Sequence, residues 1–242
     1  MNFMEEQIEK LKSIIKKSRK IVFLGGAGVS TESGVPDFRS TNEVYNKKYK
    51  YPPEEILSHS FFINNTSEFY RFYRSRMLYR DAKPNKAHKK LAKWEKEGRL
   101  RAIVTQNVDG LHQKAGSKNV VELHGSIFRN YCMNCNKFHD INKIRNSTNI
   151  PLCDCKGIIK PDVVLYDEPL KDKVIRDSTD AIATADTLII GGTTLEVFPA
   201  RTLVKYFYGD NLIIINKSEL DIESNADVVI HDEIAKTLAM IP

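Results

Sequence analysis

Residues 21–40 read Ile21-Val22-Phe23-Leu24-Gly25-Gly26-Ala27-Gly28-Val29-Ser30-Thr31-Glu32-Ser33-Gly34-Val35-Pro36-Asp37-Phe38-Arg39-Ser40. Four consecutive apolar residues predict a strand buried on both faces. The glycines that follow predict a tight turn into a helix, with backbone N–H groups offered to an anion. The turn departs from the G-x-G-x-x-G pattern: Gly26 and Gly28 take the first two glycine places, but Thr31 takes the third. No acidic residue closes the following strand to hold a ribose, so ordinary hydride transfer is disfavoured.

Working outward, the same kind of strand recurs at 101–105, ending in Gln106-Asn107, at 187–190, ending in Gly191-Gly192-Thr193, and at 212–215, ending in Asn216. A shorter strand, 119–123, precedes His124. Helical periodicity fills 5–20, 86–98 and 195–208. Doubly buried strands alternating with helices predict an α/β fold: a Rossmann-like parallel sheet with helices on both faces. Ligands of such sheets bind at the carboxyl ends of the strands, where these polar and glycine residues fall. Two stretches break the alternation, the Tyr-, Phe- and Arg-rich 42–81 and the cysteine-bearing 128–157. They predict a smaller helical and zinc-binding domain inserted into a larger one made of 1–41, 82–127 and 158–242.

The chain has 242 residues, 41% hydrophobic and 28% charged, and no apolar run approaches the roughly 20 residues that span a bilayer. Its first segment is charged and amphipathic rather than a secretory signal, so a cytoplasmic location and no membrane partner are expected. The net charge is +6. Its basic residues are spread along the chain, with Lys47, Lys48 and Lys50 the densest group, so nucleic acid is not expected as a direct partner. All four cysteines lie together: Cys132-x-x-Cys135 and Cys153-x-Cys155. Two close pairs of soft ligands predict a structural Zn2+ site rather than disulfides, with His139 as the alternative ligand should one cysteine fail. A lone histidine proves little, but an imidazole titrates near neutral pH, and His124 stands just past a strand end, where it can act as a base.

Residues 26–39 (GAGVSTESGVPDFR) resemble the signature of the sirtuin family. Thr105-Gln106-Asn107-Val108-Asp109-Gly110-Leu111-His112, Glu122-Leu123-His124-Gly125, Lys160-Pro161-Asp162-Val163-Val164 and Gly191-Gly192-Thr193-Thr194-Leu195 follow in the family's order. The resemblance covers nearly the whole chain. It implies removal of acyl groups from protein lysines with consumption of NAD, yielding nicotinamide and O-acetyl-ADP-ribose. It makes His124 the general base and Asn107 its catalytic companion, ordering the ribose or a water. It assigns Gly26, Ala27, Gly28, Thr31, Asp37, Phe38 and Arg39 to NAD, with Arg39 on phosphate or ribose oxygens and Phe38 shielding the reactive ribose carbon. Gln106, Val108, Asp109, Gly192, Thr193, Thr194, Asn216, Lys217 and Asp232 complete that set. Val163, Val164, Leu165 and Val197 are assigned to the substrate peptide, held by strand addition. Mono-ADP-ribosyl transfer and a non-catalytic NAD sensor are the competing readings. A Tyr73-x-x-Arg76 spacing resembles the desuccinylating branch, yet acetyl or a longer apolar acyl group is the expected substrate.

Overall fold

The structure is a computed structural model describing residues 3–36, 50–79, 81–197 and 199–242. Nine strands are described: β1 Ile21–Gly25, β2 Leu100–Thr105, β3 Val120–Glu122, β4 Gly125–Cys132, β5 Phe138–Asp140, β6 Ile159–Val163, β7 Thr187–Gly191, β8 Asn211–Ile215 and β9 Val228–Ile230. The described helices are α1 Phe3–Lys17, α2 Pro53–Ile56, α3 His59–Asn64, α4 Thr66–Arg76, α5 Lys86–Lys96, α6 Leu111–Ala115, α7 Ile141–Arg145, α8 Asp172–Ala183, α9 Ala200–Val204 and α10 Ile234–Ala239.

Six strands form one parallel sheet in the order β3-β2-β1-β7-β8-β9. The chain winds outward from β1 in one direction and then, from β7, in the other. That order opens a crevice at the carboxyl ends of β1 and β7, where the winding reverses. Apolar runs become central strands here because both faces of each strand meet helices. Phe23, Ile103, Ile189 and Ile213 pack with Ile8, Leu11, Ile15, Leu91, Trp94 and Leu238 on one side. Val22, Leu24, Leu188 and Ile214 pack with Ile182, Leu195 and Leu203 on the other. Successive residues of β1 thus alternate between two cores, as the twofold period of a strand requires.

A second, antiparallel sheet has the order β5-β4-β6. Its buried face carries Ile127, Ile159 and Val163, covered by Ile56, Phe62, Phe69, Tyr70 and Tyr73 of the aromatic helices α2 to α4. Phe69 stacks on Tyr73 at 5.5 Å between centroids, and Tyr70 meets Phe69 edge-on at 5.2 Å. The Tyr70 hydroxyl donates to the Ile159 carbonyl, tying α4 to β6. Among the described residues no helix is long and apolar enough to cross a membrane.

Two expected helices are cut short. After Gly26 the chain makes two single 3-10 turns, Ala27–Val29 and Thr31–Ser33, instead of a long helix. Gly34 at φ +80 ends the second, a left-handed conformation that glycine adopts without steric cost. The pattern at 195–208 yields only α9, because Leu195 sits at φ +56 and Pro199 caps the helix. Leu195 and Phe207 pack against the same core as Ala200 and Leu203 but from outside the helix, so the spacing of the whole stretch imitates a longer helix than the backbone makes.

Candidate active site

The carboxyl ends of β1, β2, β7 and β8 and the segment 163–170 enclose a cleft of about 890 Å³. Ala27, Gly28, Thr31, Gln106, Asn107, Val108, Asp109, His124, Gly192, Thr193, Thr194, Asn216, Lys217 and Asp232 all line it, as do Val163, Val164, Leu165 and Val197. Gly26 lies just behind the wall: its carbonyl accepts from the Asn107 side chain at 3.0 Å. Asp37, Phe38 and Arg39 lie outside the described residues.

The floor is made by two backbone turns in close approach. A Cβ on Gly28 would stand 2.7 Å from the Gly192 Cα, and one on Gly26 would stand 2.8 Å from the Gly192 carbonyl. The Gly28 N–H donates to that carbonyl at 2.8 Å. Only glycine lets these turns touch, which brings the ends of β1 and β7 together at the reversal point. Beside them the Thr193 N–H donates to Asn216 Oδ1 at 3.0 Å, and Gln106 Nε2 donates to Thr193 Oγ1 at 2.8 Å. Amides from β2 and β8 are therefore cross-linked through one threonine. Lys217 and Asp232 stand at the cleft edge, paired with Glu233 at 2.8 Å and with Lys236 at 2.6 Å.

His124 is oriented by its own backbone neighbours. Its Nδ1 is 3.0 Å from the Gln106 carbonyl oxygen. A carbonyl can only accept, so Nδ1 carries the proton and Nε2 is left with a free lone pair. Burial pushes the imidazole below its usual range, against the pull of the Gln106 carbonyl, so the ring is neutral at pH 7. Its main-chain carbonyl accepts from the Val164 N–H at 2.9 Å, which locks the histidine to the chain leaving β6.

Asp109 and Asn107 share a support that the sequence did not suggest. Ser30 Oγ donates to Asp109 Oδ2 at 2.7 Å and accepts from Asn107 Nδ2 at 3.1 Å. His88 Nε2 lies 3.5 Å from the same hydroxyl. The Asn85 N–H donates to His88 Nδ1 at 3.3 Å, so the proton of this ring is on Nε2, which donates to Ser30. One donor and two acceptor positions use up the hydrogen-bonding capacity of the hydroxyl. Burial drives His88 down to about 4, which keeps it neutral in this role. Burial also pushes the Asp109 carboxyl up, partly offset by Ser30 and the Leu111 N–H. Asn85-Lys86-Ala87-His88 carries a capping-box arrangement at the start of α5. Asparagine before a helical run was the available signal, but the link to Ser30 crosses 58 residues and shows only in three dimensions.

The four cysteine sulfurs lie within 4.8 Å of one another. Cys132 to Cys155 and Cys135 to Cys155 are each 3.4 Å, and Cys135 to Cys153 is 3.7 Å. Tetrahedral zinc with bonds of about 2.3 Å needs sulfurs about 3.8 Å apart, so the cluster fits the ion despite the short C-x-C pair. None of the four is in a disulfide. His139 does not replace a cysteine; its Nε2 sits 3.4 Å from Cys153 Sγ, at the edge of the set. About one zinc per chain is expected by elemental analysis. Cys155→Ser should lose that zinc and lower the melting midpoint by several degrees. Retention of full zinc by that variant would rule out the four-sulfur assignment.

A doubly wound sheet, a glycine floor at its reversal point and a neutral histidine beside buried amides define a protein of the dinucleotide-site class with a base at hand. The Sir2 family profile matches residues 26–199. An NAD-dependent protein deacetylase of Clostridium acetobutylicum is 58% identical over 98% of both chains. One of Clostridium perfringens is 57% identical over 98% of this chain and 99% of its own. Among solved structures, a Sir2 enzyme carrying a deacetylated p53 peptide and 3'-O-acetyl ADP-ribose superposes with a TM-score of 0.87 at 35% identity over 96% of both chains. A Sir2 homologue in complex with NAD gives 0.86 at 35% identity, over 95% of this chain and 90% of that one. The chain belongs to the Sir2 family.

Proposed function

We propose that this chain is an NAD-dependent protein lysine deacetylase in which His124 is the general base. The carrying observation is the tautomer of His124, whose Nδ1–H is held by Gln106 while the Nε2 lone pair stays free beside the cleft. The donor set fits NAD. A glycine floor admits a phosphate-bearing ligand closely, and Gln106, Asn107, Asp109, Thr193 and Asn216 supply directional partners for hydroxyls and a carboxamide. The relatives named as deacetylases, similar over nearly their full length, support the same reading.

When bound, NAD would supply an electrophilic ribose carbon and the hydroxyl that receives the acyl group. The residues of the chain do the rest. Asp109, fixed by Ser30 and Leu111, orients the carboxamide. Asn107, held between Gly26 and Ser30, orders the ribose or a water. His124 takes a proton at Nε2. Val163, Val164, Leu165 and Val197 border the peptide. On this reading 42–81 and 128–157 form the smaller lobe and the remainder carries the nucleotide. A cytoplasmic location belongs to the same proposal.

The acyl end of the cleft is apolar, with Val35, Pro36, Leu57, Met77, Tyr79 and Val108 in its wall. The Tyr73-x-x-Arg76 spacing does not supply a cation there. Tyr73 is buried against Phe69, and Arg76 is absent from the described lining. Arg74 is turned outward, donating to the Asn149 carbonyl at 2.8 Å. A buried carboxylate without a partner is costly, so acetyl-peptide should be turned over at least about 100-fold faster than succinyl-peptide. Incubation of both with NAD and mass spectrometry reads this directly. Loss of the acyl mass supports deacylation, whereas gain of ADP-ribose on the peptide points to transfer instead. Faster loss of succinyl would overturn the acyl assignment.

A further inference from the structure

We infer that the cleft selects acyl-lysines whose flanking residues are basic; this rests on the deacetylase reading and adds to it the class of peptide. The chain as a whole is cationic, with 37 Lys and Arg against 31 Asp and Glu. The described lining of the cleft has the opposite character. Among its described lining residues Lys217 is the single Lys or Arg, and Glu233 meets its charge at 2.8 Å.

The carboxylates concentrate beside the segments assigned to the peptide. Asp167 and Glu168 follow the strand residues 163–165, Glu196 precedes Val197, and Glu54 lines the same cleft from α2. Glu54 is one turn before Leu57, whose carbonyl accepts the Tyr166 N–H at 3.0 Å. The two acidic segments are thus tied together at the rim. Glu168 is committed internally: it pairs with Lys160 at 2.9 Å and His59 at 2.7 Å and accepts the Leu165 N–H at 3.0 Å. Glu54 and Asp167 are exposed, and neither forms an ion pair with another described residue. Two segments, carrying Glu54 and Asp167, therefore direct negative charge at whatever lies beside the acyl-lysine.

One exposed ion pair contributes little. Carboxylates of one sign on the rim of a cleft with apolar walls act together, because the walls focus their field. The flanking residues keep the same distance from the rim before and during reaction. Their effect should therefore appear in KM more than in kcat.

Three peptides sharing one acetyl-lysine core, flanked by Lys and Arg, by Ser and Gln, or by Asp and Glu, test this on the full zinc-loaded chain. KM and kcat are measured at saturating NAD, and peptide Kd by fluorescence anisotropy, at about 0.02 M and about 0.3 M salt. The expected order is basic, neutral, acidic. About tenfold in KM and Kd should separate basic from neutral at low salt, and most of that gap should be lost at high salt. The double variant Glu54→Gln, Asp167→Asn should reduce the gap to about twofold or less. Equal Kd values for the three peptides, or a gap that survives in the double variant, would overturn the inference while leaving deacetylation standing. The ranked Kd values without turnover would support the inference and remove the deacetylase reading instead.

Discussion

Replacing His124 with Ala is expected to lower kcat for acetyl-peptide by about 100-fold to 10,000-fold while the Kd for NAD changes by about threefold or less. The size follows from the loss of the general base proposed for His124. The sparing of NAD affinity follows from geometry: Gln106, Thr193 and Asn216 cross-link one another independently of the imidazole. Asn107 and Asp109 are held by Ser30, whose hydroxyl also meets His88, rather than by His124. The unmutated enzyme should show an acid limb in kcat/KM with its midpoint below about 6.5, the ordinary histidine value. The sign follows from the environment. Burial disfavours the charged ring, so the folded-state pKa is depressed, and the active neutral form persists to lower pH than in a solvated histidine. Activity is lost as pH falls through that depressed value. An acid limb above 7 would contradict the burial argument, and an Ala variant with unchanged kcat would remove His124 from the chemistry.

The large sheet could be read in the sequence because its strands are buried on both faces. In 21–24, 188–190 and 212–215 nothing polar interrupts the run, and the strand ends carry the glycines and amides that now line the cleft. The sulfur cluster was readable for a different reason. Paired cysteines at close spacing bring their sulfurs together through local turns, and Gly157 packs where a Cβ would strike Cys132 Sγ at 2.7 Å. What the sequence hid depends on long-range packing. The Ser30 hydroxyl gathers Asn107, Asp109 and His88 from positions 77, 79 and 58 residues away. No local pattern announces such a junction. The over-read helix at 195–208 shows the converse error: an apolar period implies helix only where the backbone can follow it, and Leu195 at positive φ with Pro199 behind it cannot.

Gly125→Ala is expected to damage the site through the fold, without touching any reacting group. Gly125 sits at φ +77, where an alanine Cβ is strained by about 1–2 kcal/mol. The larger cost is steric. A Cβ there would lie 1.9 Å from the Asp162 carbonyl oxygen and 2.9 Å from its carbon. Both are backbone atoms of β6, so β4 and β6 must separate at the Gly125–Val163 pair. That pair stands next to the bond from the Val164 N–H to the His124 carbonyl, and Arg129 clamps the same region by pairing with Asp162 at 2.8 Å and Glu122 at 2.7 Å. Relief of the overlap therefore pulls His124 away from Gln106 or the proposed peptide edge away from His124. A total loss of about 3 kcal/mol or more is expected, read as a fall of roughly 6–12 °C in the melting midpoint. At temperatures where the variant remains folded, KM for peptide should rise and kcat should fall together, because one strand pairing positions both the substrate edge and His124. Gly98→Ala is the matched control: it also carries positive φ, at +76, but nothing lies within 4 Å of its added Cβ. It should show only the backbone cost of about 1–2 kcal/mol, with peptide kinetics unchanged. Equal losses in the two variants would show that backbone strain alone sets the requirement at Gly125, and that the contact with Asp162 does not.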